Sequence, residues 1–250
     1  MAKKLLFLVT NDDGIHAPGL KVLFKRLHAV GRVVVVAPET ERSAVAHAIN
    51  IATPLRARKV TLAGGLQGYA CSGTPVDCVK LAVRSLLRRK PDFVVSGVNS
   101  GFNLGMDILY SGTVAAALEG AILDIPSIAV STSGVSEKHF STAAEAAIHV
   151  MELLRERGVG DSVAFNINVP AVETAALRGY RFTRQGRGRF HEDYEERTDP
   201  RGQSYYWLTG SVPNGPSEPE SDIAAVAEGF VSVTPLSLDM THHRLVRDLS

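Results

Sequence analysis

A series of short apolar runs in the first two-thirds of the chain limits its fold more than any other feature. Leu5–Val9 (LLFLV), Val33–Ala37 (VVVVA), Phe93–Ser96 (FVVS), Ser127–Ser131 (SIAVS) and Val163–Val169 (VAFNINV) are continuous rather than alternating. A strand with one wet face alternates, so these runs predict strands covered on both faces, as in a parallel sheet. Amphipathic stretches lie between them. Leu20, Leu23, Phe24 and Leu27 share one helical face and Gly31 marks a stop, while Thr74-Pro75 opens a helix carrying Val76, Val79, Val83 and Leu87. Two more helices are expected over Gly112–Leu123 and Ser141–Arg157. Strand and helix in turn predict an α/β fold, a Rossmann-like doubly wound and mainly parallel sheet. Ile49–Tyr69 breaks the pattern: Pro54 and a Gly64-Gly65 turn predict an antiparallel excursion instead of a crossover helix.

After Pro170 the character changes. Residues 1–170 are expected to form the catalytic core and residues 171–250 a C-terminal β-hairpin arm and tail that pack on it. Tyr180–Arg184 and Ser204–Leu208 are strand-like and flank a polar middle, predicting a long hairpin. The segment VPNGPSEPES is expected to be a loop, Ser221 and Asp222 to cap a short helix ending near Gly229, and FVSVTPL to return as a strand.

The 45% apolar content of these 250 residues is enough for a core without staples. A net charge of +1 gives no whole-protein field for a nucleic acid polymer or an anionic membrane, so any anion must be held locally. Cys71 and Cys78 read as reduced, buried thiols, which favours a cytoplasmic protein. The N-terminus briefly imitates a signal peptide but ends its apolar run on two acids, and no later run is long enough to span a bilayer.

Chemistry concentrates where strands end. Asn11, Asp12 and Asp13 follow the first strand, at the edge where open α/β sheets place ligands. Adjacent carboxylates repel, and a cation between them would remove the repulsion; Asp-Asp-Gly also reads as a plain turn and cap. Ser43 follows the second strand. After the strand at Phe93, Gly97, Gly101 and Gly105 alternate with Asn99 and Asn103 in a loop suited to close ligand approach. Ser111-Gly112-Thr113 opens a helix whose free N–H groups form a neutral phosphate trap, or an ordinary cap. Asp12, Asp13, Ser43 and Asn99 together offer only oxygen donors from three strand-end loops, a set for Mg²⁺, Mn²⁺ or Ca²⁺ rather than zinc. A cation beside a phosphate-sized helix terminus points to phosphoester hydrolysis. No GxGxxG follows the first strand and no Walker lysine is present.

These motifs occur together in one known family. NDDG at Asn11, Ser43 after VVVVAP, GTPVDCVKLA at Gly73, SGVNSGFNLGMDILYSGTVAAALEG at Ser96, DPRGQSYYWLTG at Asp199 and SDIAAVAEGFVSVTPLSLDMT at Ser221 closely resemble the SurE family of stationary-phase survival nucleotidases. The resemblance implies one divalent ion per subunit, Mg²⁺ or Mn²⁺, on Asp12, Asp13, Ser43 and Asn99. Asp12, Asp13 and Asn99 would be the catalytic residues, and Asn103, Ser111, Gly112 and Thr113 the phosphate contacts. It further implies hydrolysis of nucleoside 5′- and 3′-monophosphates, action on short polyphosphate, and a homodimer or homotetramer built through the C-terminal arm. The family commonly has Gly after the liganding serine and Thr or Ser a few residues on, where this chain has Ala44 and Asn50.

Other candidates are weaker. His16 could protonate a leaving oxygen, though its place at a helix start favours a surface role. Asp107 could orient water or an asparagine. Glu119 faces solvent or supports the site, solvent being favoured. His242 and His243 read as tail packing or a hinge. Arg184, Arg187, Arg189, Arg197 and Arg201 are interleaved with Glu192, Asp193, Glu195 and Glu196, so the reading is an intersubunit salt-bridged arm instead of an RNA surface. One rival activity, phosphotransfer through an aspartyl nucleophile as in haloacid-dehalogenase-like enzymes, is disfavoured because the acids are adjacent rather than alternate. The other rival is a module that binds metal and phosphate without turnover.

Overall fold

The computed structural model describes residues 4–62, 65–160, 162–188, 191–211 and 218–250. Gly64 of the expected turn, Arg189 and positions 212–217 of the expected loop lie outside these residues. The sheet strands are β1 (Leu6–Thr10), β2 (Arg32–Pro38), β3 (Ala57–Leu62), β4 (Leu66–Cys71), β5 (Phe93–Ser100), β6 (Ser127–Thr132), β7 (Ala164–Val169), β8 (Tyr180–Phe182) and β11 (Val231–Leu236). They form one sheet in the order β3-β4-β2-β1-β5-β6-β7-β11-β8. The six central strands β4, β2, β1, β5, β6 and β7 run parallel; β3 joins β4, and β11 joins β7, antiparallel. The doubly wound α/β fold is therefore present, and the antiparallel excursion is the β3–β4 pair.

Both faces of the sheet are covered. On one, Phe7, Val9, Phe93, Val95, Ile128 and Val130 pack against α1 (Pro18–Val30) and α4 (Glu137–Glu156). On the other, Leu8, Val36 and Val94 meet α2 (Pro75–Leu81) and α3 (Gly112–Ile122). Neighbouring residues of one strand thus enter different cores, which is why the runs are continuous in sequence. α4 starts at Glu137, before the expected Ser141, because the Ser136 hydroxyl caps it by accepting the His139 N–H. The second predicted helix loses its regular turn at Ala82. The Leu87 N–H reaches back five residues to Ala82 O, and Leu87 itself is extended.

Beyond Pro170, β11 and β8 complete the main sheet. The hairpin is separate, formed by β9 (His191–Thr198) and β10 (Ser204–Ser211), with Tyr206 opposite Glu196 and Trp207 opposite Glu195. Its first strand is the polar middle and not Tyr180–Arg184, which starts as edge strand β8 of the main sheet. HEDYEERT is exposed from Glu192 on, so no apolar face advertised it; backbone pairing and the Asp199 turn hold it. α5 (Asp222–Ala227), capped by Ser221, and α6 (His243–Leu249) complete the helices. Cys71 and Cys78 are free and buried. Among the described residues no helix is long and apolar enough to cross a membrane.

Candidate active site

The sheet reverses its winding at β1. The chain runs from β1 outward to β2 on one side and returns through β5 on the other, and ligands bind outside the carboxyl ends of such a pair. Asp12 and Asp13 follow β1, and Asn99 is the penultimate residue of β5. Asn99 is thus within the strand and not in a loop beyond it; β5 continues past Ser96 after an irregularity in its pairing with β6 and re-pairs at Asn99 with Ser131. Gly97 stands at that irregularity with φ +139, and a Cβ there would come within 2.4 Å of Val130 O, so only glycine lets the strand pass.

Asp12 is buried and locked to α3. Its carboxylate accepts the Thr113 N–H at 3.0 Å and the Thr113 hydroxyl. Burial pushes its pKa up, and the Thr113 bonds work against that. Asp13 is half-buried, and desolvation followed by repulsion from Asp12 raises its pKa to about 6, opposed by the Ser100 N–H. Neither acid has an ion-pair partner among the described residues, so hydrogen bonds from Thr113 and Ser100 offset only part of the electrostatic cost of the pair. The residues expected to hold a metal, two desolvated carboxylates with the Ser43 hydroxyl and the Asn99 amide, are all oxygen donors, a set that would suit a hard divalent cation. Among the described residues no group of three His, Cys, Asp or Glu side chains is placed to hold a metal ion.

Ser43 lies on an exposed loop whose position is set from several sides. The Arg42 N–H bonds Asp12 O (2.8 Å), the Ala46 N–H bonds Tyr110 O (3.0 Å), and the Thr74 hydroxyl bonds Ala48 O (2.7 Å). Ser43 itself donates to Glu41, a carboxylate close enough to raise both aspartates slightly. Ala44 has φ +53, the left-handed region, which accounts physically for glycine being usual after the serine. Asn50 bonds Asp77 through its backbone N–H and its side-chain amide (3.1 and 2.8 Å), docking the loop on the capping box of α2.

Asn99 donates its amide N–H to Gly101 O at 2.9 Å, which leaves the amide oxygen available as an acceptor. Asn103 is buried and over-determined: its N–H bonds Asn168, its amide bonds Ser131, and its carbonyl accepts from Asn166 and Asn168. The Ser111 hydroxyl caps α3 by accepting the Val114 N–H at 3.1 Å. Gly112 lies against Asp12, where a Cβ would sit 3.0 Å from the aspartate Cβ. The first turn of α3 therefore gives Thr113 to Asp12 and Ser111 to the cap.

Glu119 corrects an expectation. It is only 2% exposed rather than solvent-facing, and it bonds His47 Nε2 (3.0 Å) and Lys80 Nζ (2.8 Å). Burial alone would raise its pKa, yet the His47 and Lys80 bonds bring it below the ordinary value. His47 and Lys80 were not singled out in the sequence; an acid on an otherwise apolar helix face was the only available signal. His16 and Asp107 are exposed. His242 accepts the Leu245 N–H at the start of α6, and His243 pairs with Asp239 at 2.7 Å, both bonds local to an exposed segment. Arg184 and Arg187 face Glu218, and Arg197 faces Glu195, all within the chain.

The model of the survival protein SurE family matches residues 7–192. The chain belongs to the SurE family. Relatives named 5′-nucleotidase SurE include that of Moorella thermoacetica, 47% identical over 98% of this chain and 95% of its own, and that of Thermosynechococcus vestitus, 45% identical over 97% and 94%. The crystal structure of SurE protein from Aquifex aeolicus superposes with a TM-score of 0.84 at 39% identity, covering 98% of both chains. The SurE frame thus spans the sheet, the carboxyl edge and the C-terminal segment alike.

Proposed function

We propose that this SurE chain is a divalent-metal-dependent phosphohydrolase that removes phosphate from nucleoside 5′-monophosphates, with 3′-monophosphates and short polyphosphate as further substrates. One observation carries the reading. A pair of desolvated carboxylates with no ion-pair partner among the described residues stands at the winding reversal of the sheet, and one of them, Asp12, is bonded directly to the first turn of α3, so this edge offers a place for a cation beside one for an anion. The names of the relatives agree with it.

In this reading Asp12, Asp13, Ser43 and Asn99 hold one Mg²⁺ or Mn²⁺. When bound, the cation polarises the phosphoryl group and lowers the pKa of a water so that attack occurs at neutral pH. The chain's own residues position the reaction. Thr113 fixes the rotamer of Asp12, and the Ser100 N–H orients Asp13. The Gly112 N–H, the Ser111 O–H and the second amide hydrogen of Asn103 are the donors left for phosphate, with the α3 dipole favouring its charge. Residues 1–170 would carry the chemistry, while 171–250 lend two strands to the sheet and build a homodimer or homotetramer through the hairpin. The exposed Tyr194, Tyr206, Trp207 and Leu208 support that assembly. Free buried cysteines and a net charge of +1 support a cytoplasmic enzyme acting on small nucleotides, with neither nucleic acid polymer nor membrane as partner.

The test is phosphate release from a panel of nucleoside monophosphates in EDTA, then with Mg²⁺ or Mn²⁺ restored. Release that vanishes and returns is expected; silence with every metal in folded protein overturns the reading.

A further inference from the structure

The site loop between β5 and α3 is tied to the C-terminal segment by one buried side chain. Asp222, the first residue of α5, is fully buried, and its carboxylate accepts three backbone N–H groups from three segments. Gly105 of the site loop bonds Oδ2 at 2.9 Å, while Gly186 at the root of the hairpin and Ile223 of α5 itself bond Oδ1, each at 2.9 Å. Around this point the two segments are laced again. The Gln185 amide donates to Gly105 O at 2.8 Å, and the Met106 N–H donates to Gly188 O at 2.9 Å. The approach is so close that a Cβ on Gly105 would lie 2.4 Å from Gly188 O.

We infer that Asp222 is a positioning residue for phosphate binding, a latch that holds residues 103–111 in place from the C-terminal side of the fold. The inference rests on the proposed phosphohydrolase reading, in which Asn103 and Ser111 bound this loop and face phosphate. Asn103 is fixed from below by β6 and β7, and Ser111 by its cap on α3, but the span between them is a short turn, Gly105–Leu109, with Leu109 exposed. Two carboxylate oxygens facing N–H donors from opposite segments make a linkage no neutral side chain reproduces, since an amide can present an oxygen to only one side. The same bonds place the root of the hairpin against the site loop, so the latch also ties the geometry of the arm to that of the phosphate site. The residues proposed to hold the metal, Asp12, Asp13, Ser43 and Asn99, lie outside residues 103–111; the Ser43 loop meets only the far end of that span, through the Ala46 N–H to Tyr110 O at 3.0 Å.

The test is Asp222→Asn, in which one of the N–H groups must face an NH₂. In folded protein the expected result has four parts: KM for nucleoside monophosphate and the inhibition constant of inorganic phosphate both rise on the order of tenfold; kcat changes little; the calorimetric dissociation constant of Mn²⁺ stays at its wild-type value; and amide exchange over residues 103–111 accelerates. Unchanged KM and phosphate inhibition overturn the latch, as does a parallel loss of Mn²⁺ affinity and kcat, which would mark a general weakening of the fold. If Asp222→Asn does not fold, Gln185→Ala, which removes one bond of the same lacing, decides on the same readouts with a smaller rise. Should the wild type release no phosphate from nucleotides, the hydrolase reading fails separately, and phosphate affinity measured by calorimetry with amide exchange still decides the latch.

Discussion

Asp12 and Trp207 stand in regions that satisfy their polar groups by opposite routes. Around Asp12 the partners are far apart in sequence: Thr113 holds its carboxylate, and Arg42 its carbonyl. Around Trp207 everything is local. β9 and β10 pair across a short turn, Arg197 bonds Glu195 two residues away, and the aromatic side chains remain more than half exposed at Tyr206 and Trp207. The carboxyl edge is complete in packing, yet among the described residues no cationic side chain pairs with its two acids. The hairpin is complete in backbone pairing and incomplete in burial, lacking a covering surface.

The comparison breaks first at the acids. Asp13→Asn is expected to abolish metal-restored phosphate release while the circular dichroism spectrum and unfolding temperature are retained, because the substitution removes a repulsive charge from the fold. Full activity would detach the carboxylate pair from the chemistry. At the other region, replacing residues 191–211 with a short Gly/Ser linker should lower the mass seen by light scattering and leave the core folded, since the hairpin forms a sheet of its own. Truncating the chain before β8 would be a poorer test, because it also removes β11 and β8 from the edge of the main sheet beside β7. An unchanged mass would show that the hairpin does not build the assembly.

A third, smaller effect concerns pH. Asp13 titrates near 6 in the folded protein against an ordinary value of 3.8, so the metal-free native state binds more protons than the unfolded chain between those values. Stability therefore falls as pH rises from about 4 through about 6, and the full cost of the ionised acid is present above that. Mg²⁺ or Mn²⁺ offsets this cost only when the acid is ionised. The rise in unfolding temperature on adding metal should be larger at pH 8 than at pH 5, and a rise independent of pH would place the cation elsewhere. Smallest is Ala44→Gly, which relieves a left-handed alanine and should stabilise the protein by about 0.5 kcal/mol in denaturant unfolding. A clear destabilisation would mean that the Ala44 methyl packs usefully in the Ser43 loop.

Much of this was legible before any fold was known, and the reason is local. Continuous apolar runs declare strands with two covered faces, Thr74-Pro75 and Ser221-Asp222 declare helix starts, and acids at the end of the first strand declare a ligand edge, because each depends on neighbours within a few residues. The misreadings share the opposite property. β9 carries no apolar face, so its strand exists only through pairing with β10. Glu119 reads as a surface acid until His47 and Lys80, 72 and 39 residues away, close around it. Thr113 looks like a phosphate donor until Asp12, 101 residues earlier, occupies its N–H and hydroxyl. By itself the sequence determined the strands and helices at the centre of the main sheet and which donor atoms follow its first strand. Only the tertiary structure decided which donor meets which acceptor, because hydrogen bonds between segments are set by strand order and loop closure, and those are properties of the packed sheet and not of any stretch of chain.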